Sequence, residues 1–228
     1  MGAFADIDFK VPFHACETVS GRYVDIVNPD PGSIVLSDIA WSLSRQARFA
    51  GHTISREVWN VAQHSLFVFA ILQCGFIDSF DLQKSLDAWL DKSGHEKSNV
   101  NLQALNVAAL MHDATEAYLV DLPSPVKRHE ALREPYKALE HTMESAIWTA
   151  FDFPLLTPTE TRIIVWADLV ALQIEAAHLM PSRGRGWAGD LPEVSHYDLG
   201  LFPTVMNSAD SYHAFLKTAE SIGICSKF

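Results

Sequence analysis

Positive charge is scarce in this sequence. Lys and Arg together number 17 against 28 Asp and Glu, so the formal net charge is −11. Proteins that coat nucleic acids contact phosphates through clustered cations, so this balance argues against a nucleic acid polymer as partner. The acidity does not argue against divalent metals, which the ten His can help to bind. Nor does it exclude a small nucleotide, because one Arg or Lys in a pocket can hold a phosphate.

Cysteines and long apolar runs are also scarce. Cys16, Cys74 and Cys225 form no CxxC pair, so neither a zinc ribbon nor a disulfide framework is indicated. The longest apolar run, residues 66–72, is too short to cross a bilayer, and the N-terminal segment lacks the apolar stretch of a signal peptide. We therefore expect a cytoplasmic protein without a membrane partner.

Helical patterns dominate the chain, and the sequence predicts an all-α fold with a short hairpin-like segment over residues 18–31. The predicted helices span residues 38–48, 58–73, 101–118, 135–151, 157–180 and 208–222. Residues 78–99 hold one amphipathic patch and a polar stretch, which we interpret as an insertion or surface loop. Residues 181–228 are expected to form a Gly-rich loop and the last helix. With 48 % hydrophobic residues, residues 1–228 can form a single domain with its core at about 38–180.

Two titratable residues lie in apolar helical contexts. Asp168 shares its predicted helix face with Ile164 and Leu172, where a carboxylate is costly to bury unless it is paired or binds a metal. A buried Arg or the backbone could also satisfy it. His64 lies among Val61 and Val68, where a histidine is either a satisfied core residue or a ligand.

A cluster of polar residues follows in the third predicted helix. His112 and Glu116 are four residues apart, and Asp113 and Glu116 are three apart, so all three are expected on one helix face. Together with His64 and Asp168 they offer mixed imidazole and carboxylate ligands, which suit divalent ions such as Zn²⁺, Mn²⁺, Co²⁺ or Fe²⁺. Such an ion lowers the pKa of a water in its coordination sphere, which favours hydrolysis.

Further charged residues flank this cluster. Asp121 and Lys127 lie around a rigid Pro-rich turn, which can hold a carboxylate and a cation at a pocket rim. In the alternative interpretation, Asp121 caps a turn and Lys127 is solvated. Arg45 and Arg48 are candidates for a phosphate clamp, or else surface arginines on an amphipathic helix.

Together these residues resemble the H…HD…D pattern of the HD-domain metal-dependent phosphohydrolases. The pattern is formed here by His64, His112, Asp113 and Asp168. The string from His112 to Lys127 is similar to HDxxExxxxDxPxPxK, which is typical of the YfbR-type 5′-deoxynucleotidases and their phage relatives. The resemblance covers roughly residues 38–180.

The resemblance implies an HD-domain helical bundle that holds one divalent ion (Mn, Co, Zn, Fe or Mg) through the four residues of the pattern. It implies hydrolysis of a nucleotide phosphoester, with Glu116 as the acid/base residue and Asp121 as a second catalytic carboxylate. Arg48 and Lys127 would bind the phosphate. Phe49 stands where the bacterial nucleotidases have Trp, next to the substrate. The resemblance also implies a homodimer or higher homo-oligomer.

Several functions are compatible with this pattern. The first hypothesis is a 5′-(deoxy)nucleotidase that acts on a small-molecule nucleotide. The second is a dNTP triphosphohydrolase such as a phage dATPase, in which Lys127, Arg128, Arg183 and Arg185 would hold the longer phosphate chain. The third is a non-catalytic HD module that binds a nucleotide, against which the intact ligand pattern argues. A cyclic-nucleotide phosphodiesterase would usually show a second metal site with paired His at helical spacing, which the sequence does not offer.

Overall fold

The computed structural model describes residues 13–187 and 189–224, so Cys225 lies outside the described residues. It is mostly helical with one two-stranded antiparallel sheet, as the sequence predicted. The helices are α1 (Leu36–Leu43), α2 (Val61–Gln73), α3 (Phe80–Lys92), α4 (Leu102–Met111), α5 (Glu116–Leu119), α6 (Ser124–Lys127), α7 (Glu130–Phe151), α8 (Pro158–Leu179) and α9 (Ser208–Ser221). Short 3-10 turns lie at Pro31–Ser33, Arg48–Gly51 and Asp198–Leu201, and a π-helical turn at Cys74–Asp78 follows α2.

The hairpin consists of β1 (Ala15–Glu17) and β2 (Tyr23–Asp25), with Cys16 opposite Val24. The prediction of a hairpin is confirmed, although its first strand begins before residue 18. Gly21 adopts a positive φ of 78° in the connecting turn, a conformation that glycine accepts without steric cost. Val24 is fully buried, so the hairpin contributes to the core.

The first helix is shorter than predicted. It ends at Leu43, and the chain then turns back so that Ala47 forms an antiparallel bridge with Asn60. The amide of Arg48 donates to the carbonyl of Trp59, 2.9 Å away, which fixes the Arg48 backbone next to the start of α2. The Asn60 side chain caps α2. Arg48 therefore lies on a turn beside α2 and not on an amphipathic helix.

The third predicted helix is divided into α4 and α5. After Met111 the amides of Ala114, Glu116 and Ala117 donate to carbonyls three residues earlier, which tightens the chain and ends the regular α-helix. The expectation that His112 and Glu116 share one face of a continuous helix is therefore wrong. His112 lies at the C-terminal cap of α4, whereas Glu116 begins α5.

Residues 78–99 contain a helix, so their interpretation as a surface loop is wrong in part. Leu82, Leu86, Trp89 and Leu90 of α3 are buried in the core cluster that also contains residues of α8. The Trp89 indole also donates to the carbonyl of Arg162 at 3.1 Å. The amphipathic patch noted in the sequence is this helix, and the polar stretch that follows it led to the interpretation as a loop.

Helices α7 and α8 are the longest of the described helices, with 22 residues each. Helix α7 begins at Glu130, five residues before the predicted start, so Pro135 lies inside the helix. Helix α8 begins with the predicted capping box, in which Thr157 and Glu160 satisfy each other's backbone amides. This box fixes the start of the helix that carries Asp168.

Two apolar clusters meet at α2 and α4. One joins these helices to the hairpin, α1, α7 and α9, and the other joins them to α3 and α8. Within the described residues no single helix is long and apolar enough to cross a membrane. One bent pair, Val61–Phe76 with Asp81–Lys92, meets that requirement by length and composition only.

Candidate metal centre

Three helices bring His64, His112 and Asp168 together as a metal-ligand trio. The Nε2 atom of His64 lies 3.2 Å from Nε2 of His112 and 3.1 Å from Oδ1 of Asp168. One potential ligand atom from each member lies within 4.8 Å of the others. The His64 side chain is fully buried, whereas that of Asp168 is 38 % exposed. The trio is therefore anchored in the core and open on the side of Asp168.

The hydrogen bonds of the two imidazoles favour metal binding. Nδ1 of His112 lies 3.0 Å from the carbonyl oxygen of Ala109 and donates to it, which leaves Nε2 as the free ligand atom. Nδ1 of His64 donates to Oε1 of Glu175 at 2.6 Å, which has the same consequence for its Nε2. Two imidazoles and a carboxylate form a donor set that suits a divalent transition metal, so the trio could hold one.

The electrostatic environment of the trio also favours a cation. Burial and the charge of Arg48 lower the pKa of His64, but Glu175 and Asp168 outweigh both and raise it to about 10. The pKa of His112 is also raised, because Asp113 outweighs the effect of burial. A buried site that binds protons this strongly has a negative potential, which also attracts a metal ion.

Asp113 borders the trio and is the fourth predicted ligand. Its Oδ2 lies 3.3 Å from Nε2 of His112 and 3.5 Å from Nε2 of His64. The same oxygen lies 3.4 Å from Nη1 of Arg48. The structure thus brings all four predicted ligand residues together and adds an arginine beside them.

Glu175 is a residue of the site that the sequence analysis missed. It is fully buried, and it lies between Nδ1 of His64 and Nε of Arg48, 3.3 Å from the latter. Glu175 follows Asp168 by seven residues, which is two helical turns, so both lie on the same face of α8. That spacing of two acids in an apolar helix was a usable signal. Glu175 orients a predicted ligand and a predicted phosphate-binding residue at once.

A second group of residues, Glu116, Asp121 and Lys127, forms what we call the carboxylate rim. Nζ of Lys127 lies 2.9 Å from Oε1 of Glu116 and 3.2 Å from Oε1 of Glu140. Glu116 is buried, and its Oε2 has no hydrogen-bond partner among the described residues. Burial and then the charge of Asp113 raise the pKa of Glu116 to about 8, although Lys127 opposes them. A carboxyl in this state can carry a proton near neutral pH.

Gln46 holds the backbone of the rim. Its Nε2 donates to the carbonyl of Glu116 at 2.8 Å, and its Oε1 accepts from the amide of Asp121 at 3.0 Å. Between them Val120 adopts a positive φ of 68°, which is unusual for a β-branched residue. The Tyr136 hydroxyl donates to the Val120 carbonyl at 3.0 Å. These hydrogen bonds maintain a turn that a free chain would avoid.

The remaining predicted site residues flank the centre. Phe49 follows Arg48 with a positive φ of 54°, and its ring centroid lies 6.0 Å from that of Trp187 in the Gly-rich loop. Burial raises the pKa of Asp121, although Arg48 opposes the shift. Lys127 forms ion pairs with Glu116 and Glu140, so its link to the centre is its contact with Glu116.

Comparison with known proteins is consistent with this geometry. The profile of the YfbR-like 5′-deoxynucleotidase family matches residues 41–175. The chain is 32 % identical over 173 residues to the uncharacterised protein YfdR of Escherichia coli, covering 75 % of each chain. It is 29 % identical over 163 residues to an uncharacterised protein of Rhodobacter capsulatus, covering 71 % of this chain and 70 % of that one. It is also 29 % identical over 115 residues to the 4′-phosphooxetanocin A phosphatase of Priestia megaterium, covering about half of each.

The helical fold and the His/His/Asp trio agree with an HD-type phosphohydrolase. The chain belongs to the YfbR-like 5′-deoxynucleotidase family. Both the family and the phosphatase relative indicate a nucleotide phosphohydrolase.

Proposed function

We propose that this protein hydrolyses the phosphoester of a 5′-(deoxy)nucleotide, most simply a nucleoside monophosphate, and that it depends on a divalent metal. One observation carries the proposal: the trio lies beside a buried carboxyl, that of Glu116, with a raised pKa and an unpartnered oxygen. His64, His112, Asp113 and Asp168 would hold one ion. When bound, the ion would supply positive charge to the phosphate and lower the pKa of a nearby water.

Arg48 is the residue we assign to the phosphate. It is nearly buried, and its guanidinium is oriented by Glu175 on one side and Asp113 on the other. An arginine held in this way offers preorganised donors to phosphate oxygens without first losing conformational freedom. It would stabilise negative charge that builds up as the ester bond breaks.

Glu116 is the residue we assign to proton transfer. Its protonated carboxyl would donate a proton from the unpartnered Oε2 to the departing ester oxygen. Lys127 on Oε1 fixes the orientation of the carboxyl. Asp121 would position the attacking water or the sugar, and Phe49 would contact the substrate near Arg48.

Phosphate release from metal-stripped protein tests the proposal. Mn²⁺, Co²⁺, Zn²⁺ or Mg²⁺ is added back with a panel of dNMPs, NMPs and dNTPs, and orthophosphate and triphosphate are measured separately. We expect metal-dependent orthophosphate from monophosphates, and loss of both bound metal and activity in His112→Ala. Triphosphate from a dNTP would instead identify a triphosphohydrolase, and metal binding without any product would identify a binding module.

A further inference from the structure

Trp59, a residue that the sequence analysis did not assign to the site, contacts Arg48 through its backbone. The Trp59 carbonyl accepts from the amide of Arg48 at 2.9 Å, and the neighbouring residues Ala47 and Asn60 form a β-bridge. The residue is only 1 % exposed, so its indole lies in the core. A tryptophan buried this deeply must place its indole N–H beside an acceptor or leave it unsatisfied.

Aromatic contacts place the Trp59 ring against the part of α8 that carries Glu175. Its ring centroid lies 5.0 Å from that of Phe202, and Phe202 stacks on His178 with the two centroids 4.6 Å apart. His178 follows Glu175 by three residues, so both lie on the same side of α8. The indole is therefore packed close to the buried Glu175 carboxylate.

Three buried polar atoms lie at this point without a complete hydrogen bond to any described residue. They are Nε of Arg48, Nε1 of Trp59 and Oε2 of Glu175. Two of these atoms carry N–H donors and the third is a carboxylate oxygen, so the set is chemically complementary. Nε of Arg48 and Oε2 of Glu175 already form an ion pair at 3.3 Å. Because an unsatisfied buried donor is costly, Oε2 is the acceptor that the indole N–H requires.

The Trp59 side chain also acts on the Glu175 carboxylate electrostatically. Burial alone would raise the pKa of Glu175, but the charges of His64 and Arg48, together with hydrogen bonding from His64 and Trp59, hold it below its ordinary value. Oε1 of Glu175 accepts from Nδ1 of His64 at 2.6 Å, so Oε2 is left to face Arg48 and Trp59. A carboxylate with donors on both oxygens has little freedom to rotate.

We propose that Trp59 is a positioning residue of the metal centre, whose indole N–H holds Oε2 of Glu175 and thereby keeps Oε1 on His64. The inference rests on the proposed function for the role of His64 as a metal ligand. Trp59→Phe removes the N–H and keeps an aromatic ring. We expect this variant to bind metal about three- to tenfold more weakly, in line with the loss of one hydrogen bond.

A double-mutant cycle distinguishes positioning from packing. Metal affinity is measured by competition with a chromophoric chelator for Trp59→Phe, Glu175→Leu and the double variant, with Co²⁺ or Zn²⁺ as the probe. Lost packing lowers the affinity equally in both backgrounds, whereas an effect that passes through the carboxylate disappears once the carboxylate is gone. We expect the effect of Trp59→Phe to fall below about twofold in the Glu175→Leu background.

Trp89→Phe is the matched control for the cycle. Trp89 is also buried, and its indole donates to the carbonyl of Arg162 at 3.1 Å, outside the site. The control loses the same ring volume and one indole hydrogen bond, and its metal affinity should equal that of wild type.

The indole N–H resonance of Trp59 gives a readout that packing does not mimic. In ¹⁵N-labelled, metal-free protein the resonance is assigned by its disappearance in Trp59→Phe. We expect Glu175→Leu to move it upfield and to speed its exchange with water, while the Trp89 resonance stays in place. If Glu175→Leu does not fold, Glu175→Gln takes its place with a smaller shift in the same direction, because a neutral amide is a weaker acceptor than a carboxylate.

The two measurements separate this inference from the proposed function. A wild-type protein that binds no metal would refute the proposed function, and the shift of the indole resonance would still support the contact of Trp59 with Glu175. An indole resonance that does not move, or an equal loss of metal affinity in both backgrounds, would overturn the inference and leave the proposed activity intact. Wild-type metal affinity in Trp59→Phe would overturn it as well.

Discussion

The metal-ligand trio and the carboxylate rim are neighbours, but they are held in place in different ways. His64 lies on α2, His112 at the end of α4 and Asp168 on α8, and these three helices pack in one apolar core. The rim residues Glu116 and Lys127 lie on helices of four residues, which cannot be stable alone. The ligand residues are therefore fixed by the packing of long helices, whereas the rim combines the burial of Tyr118 and Leu119 on α5 with hydrogen bonds from Gln46 and Lys127.

The difference has a functional meaning. A metal site needs ligand atoms at set distances, which rigid packed helices provide. A proton donor needs a raised pKa and a set orientation. Burial raises the pKa of Glu116, and the contact of Lys127 with Oε1 orients its carboxyl. The strained φ of Val120 lies in the rim, where strain of this kind is often associated with function. Variants should therefore separate metal binding from turnover.

The largest expected effect is on turnover when the rim carboxyl is removed. Glu116→Gln keeps the shape but cannot cycle a proton, so kcat should fall by about 10²- to 10⁴-fold. Metal content should stay at the wild-type level, because Glu116 is not part of the trio. The measurement is steady-state hydrolysis together with metal analysis of the same sample. Glu134→Gln, exposed on α7, is the control and should behave as wild type; wild-type turnover in Glu116→Gln would exclude its role.

The second-largest expected effect is on metal affinity, when the carboxylate that supports the trio is removed. Glu175→Gln removes the charge that faces Nδ1 of His64 and Nε of Arg48. Loss of such a supporting carboxylate typically lowers metal affinity about 10- to 100-fold. Competition with a chromophoric chelator measures this affinity, and Glu116→Gln serves as the comparison with unchanged affinity. If both variants bound metal as wild type does, the distinction between the two regions would be lost.

The sequence predicted the trio better than the rim, because the trio lies on regular helices and the rim depends on tertiary contacts. His64 and Asp168 lie in helices that are mostly apolar, so a polar side chain in either one was conspicuous in the sequence. The division after Met111 results from amides that switch to carbonyls three residues away, which periodicity does not reveal. The contacts of Gln46 with Glu116 and Asp121 join residues 70 and 75 positions apart and depend on the tertiary fold. The amphipathic patch that forms α3 was noted but assigned to a loop, because a polar stretch follows it.

A smaller effect is expected when the support of the rim is removed. Gln46→Ala loses the hydrogen bonds to the Glu116 carbonyl and the Asp121 amide, so both carboxylates shift relative to the trio. Because Gln46 holds the backbone of this turn, kcat should fall about tenfold, in line with the sensitivity of catalysis to small displacements, while KM changes little. Gln73→Ala removes a comparable amide hydrogen bond elsewhere, to Asn106, and should leave kcat unchanged. An increase in KM alone would assign Gln46 to substrate binding.

The smallest effect concerns stability and depends on pH. Burial alone would raise the pKa of Glu160, but the amides of Thr157 and Asn101 donate to its carboxylate and hold the pKa below its ordinary value of 4.5. Above pH 4.5 the carboxylate is ionised in both the folded and unfolded states, so its contribution is complete. At lower pH the unfolded chain takes up the proton first, and the contribution disappears as the pH falls through the folded pKa.

Glu160→Gln should therefore lower the free energy of unfolding by about 1 kcal/mol at neutral pH, as loss of a helix cap does. The difference from wild type should shrink below pH 4.5, and the exposed Glu220→Gln is the control. Denaturant unfolding of metal-free protein at several pH values measures both effects. Glu160 anchors only the start of α8. Metal affinity should therefore remain near wild type, because the rest of the folded helix still keeps Asp168 in place. A difference that is independent of pH would mean that the charge of Glu160 contributes nothing to the cap.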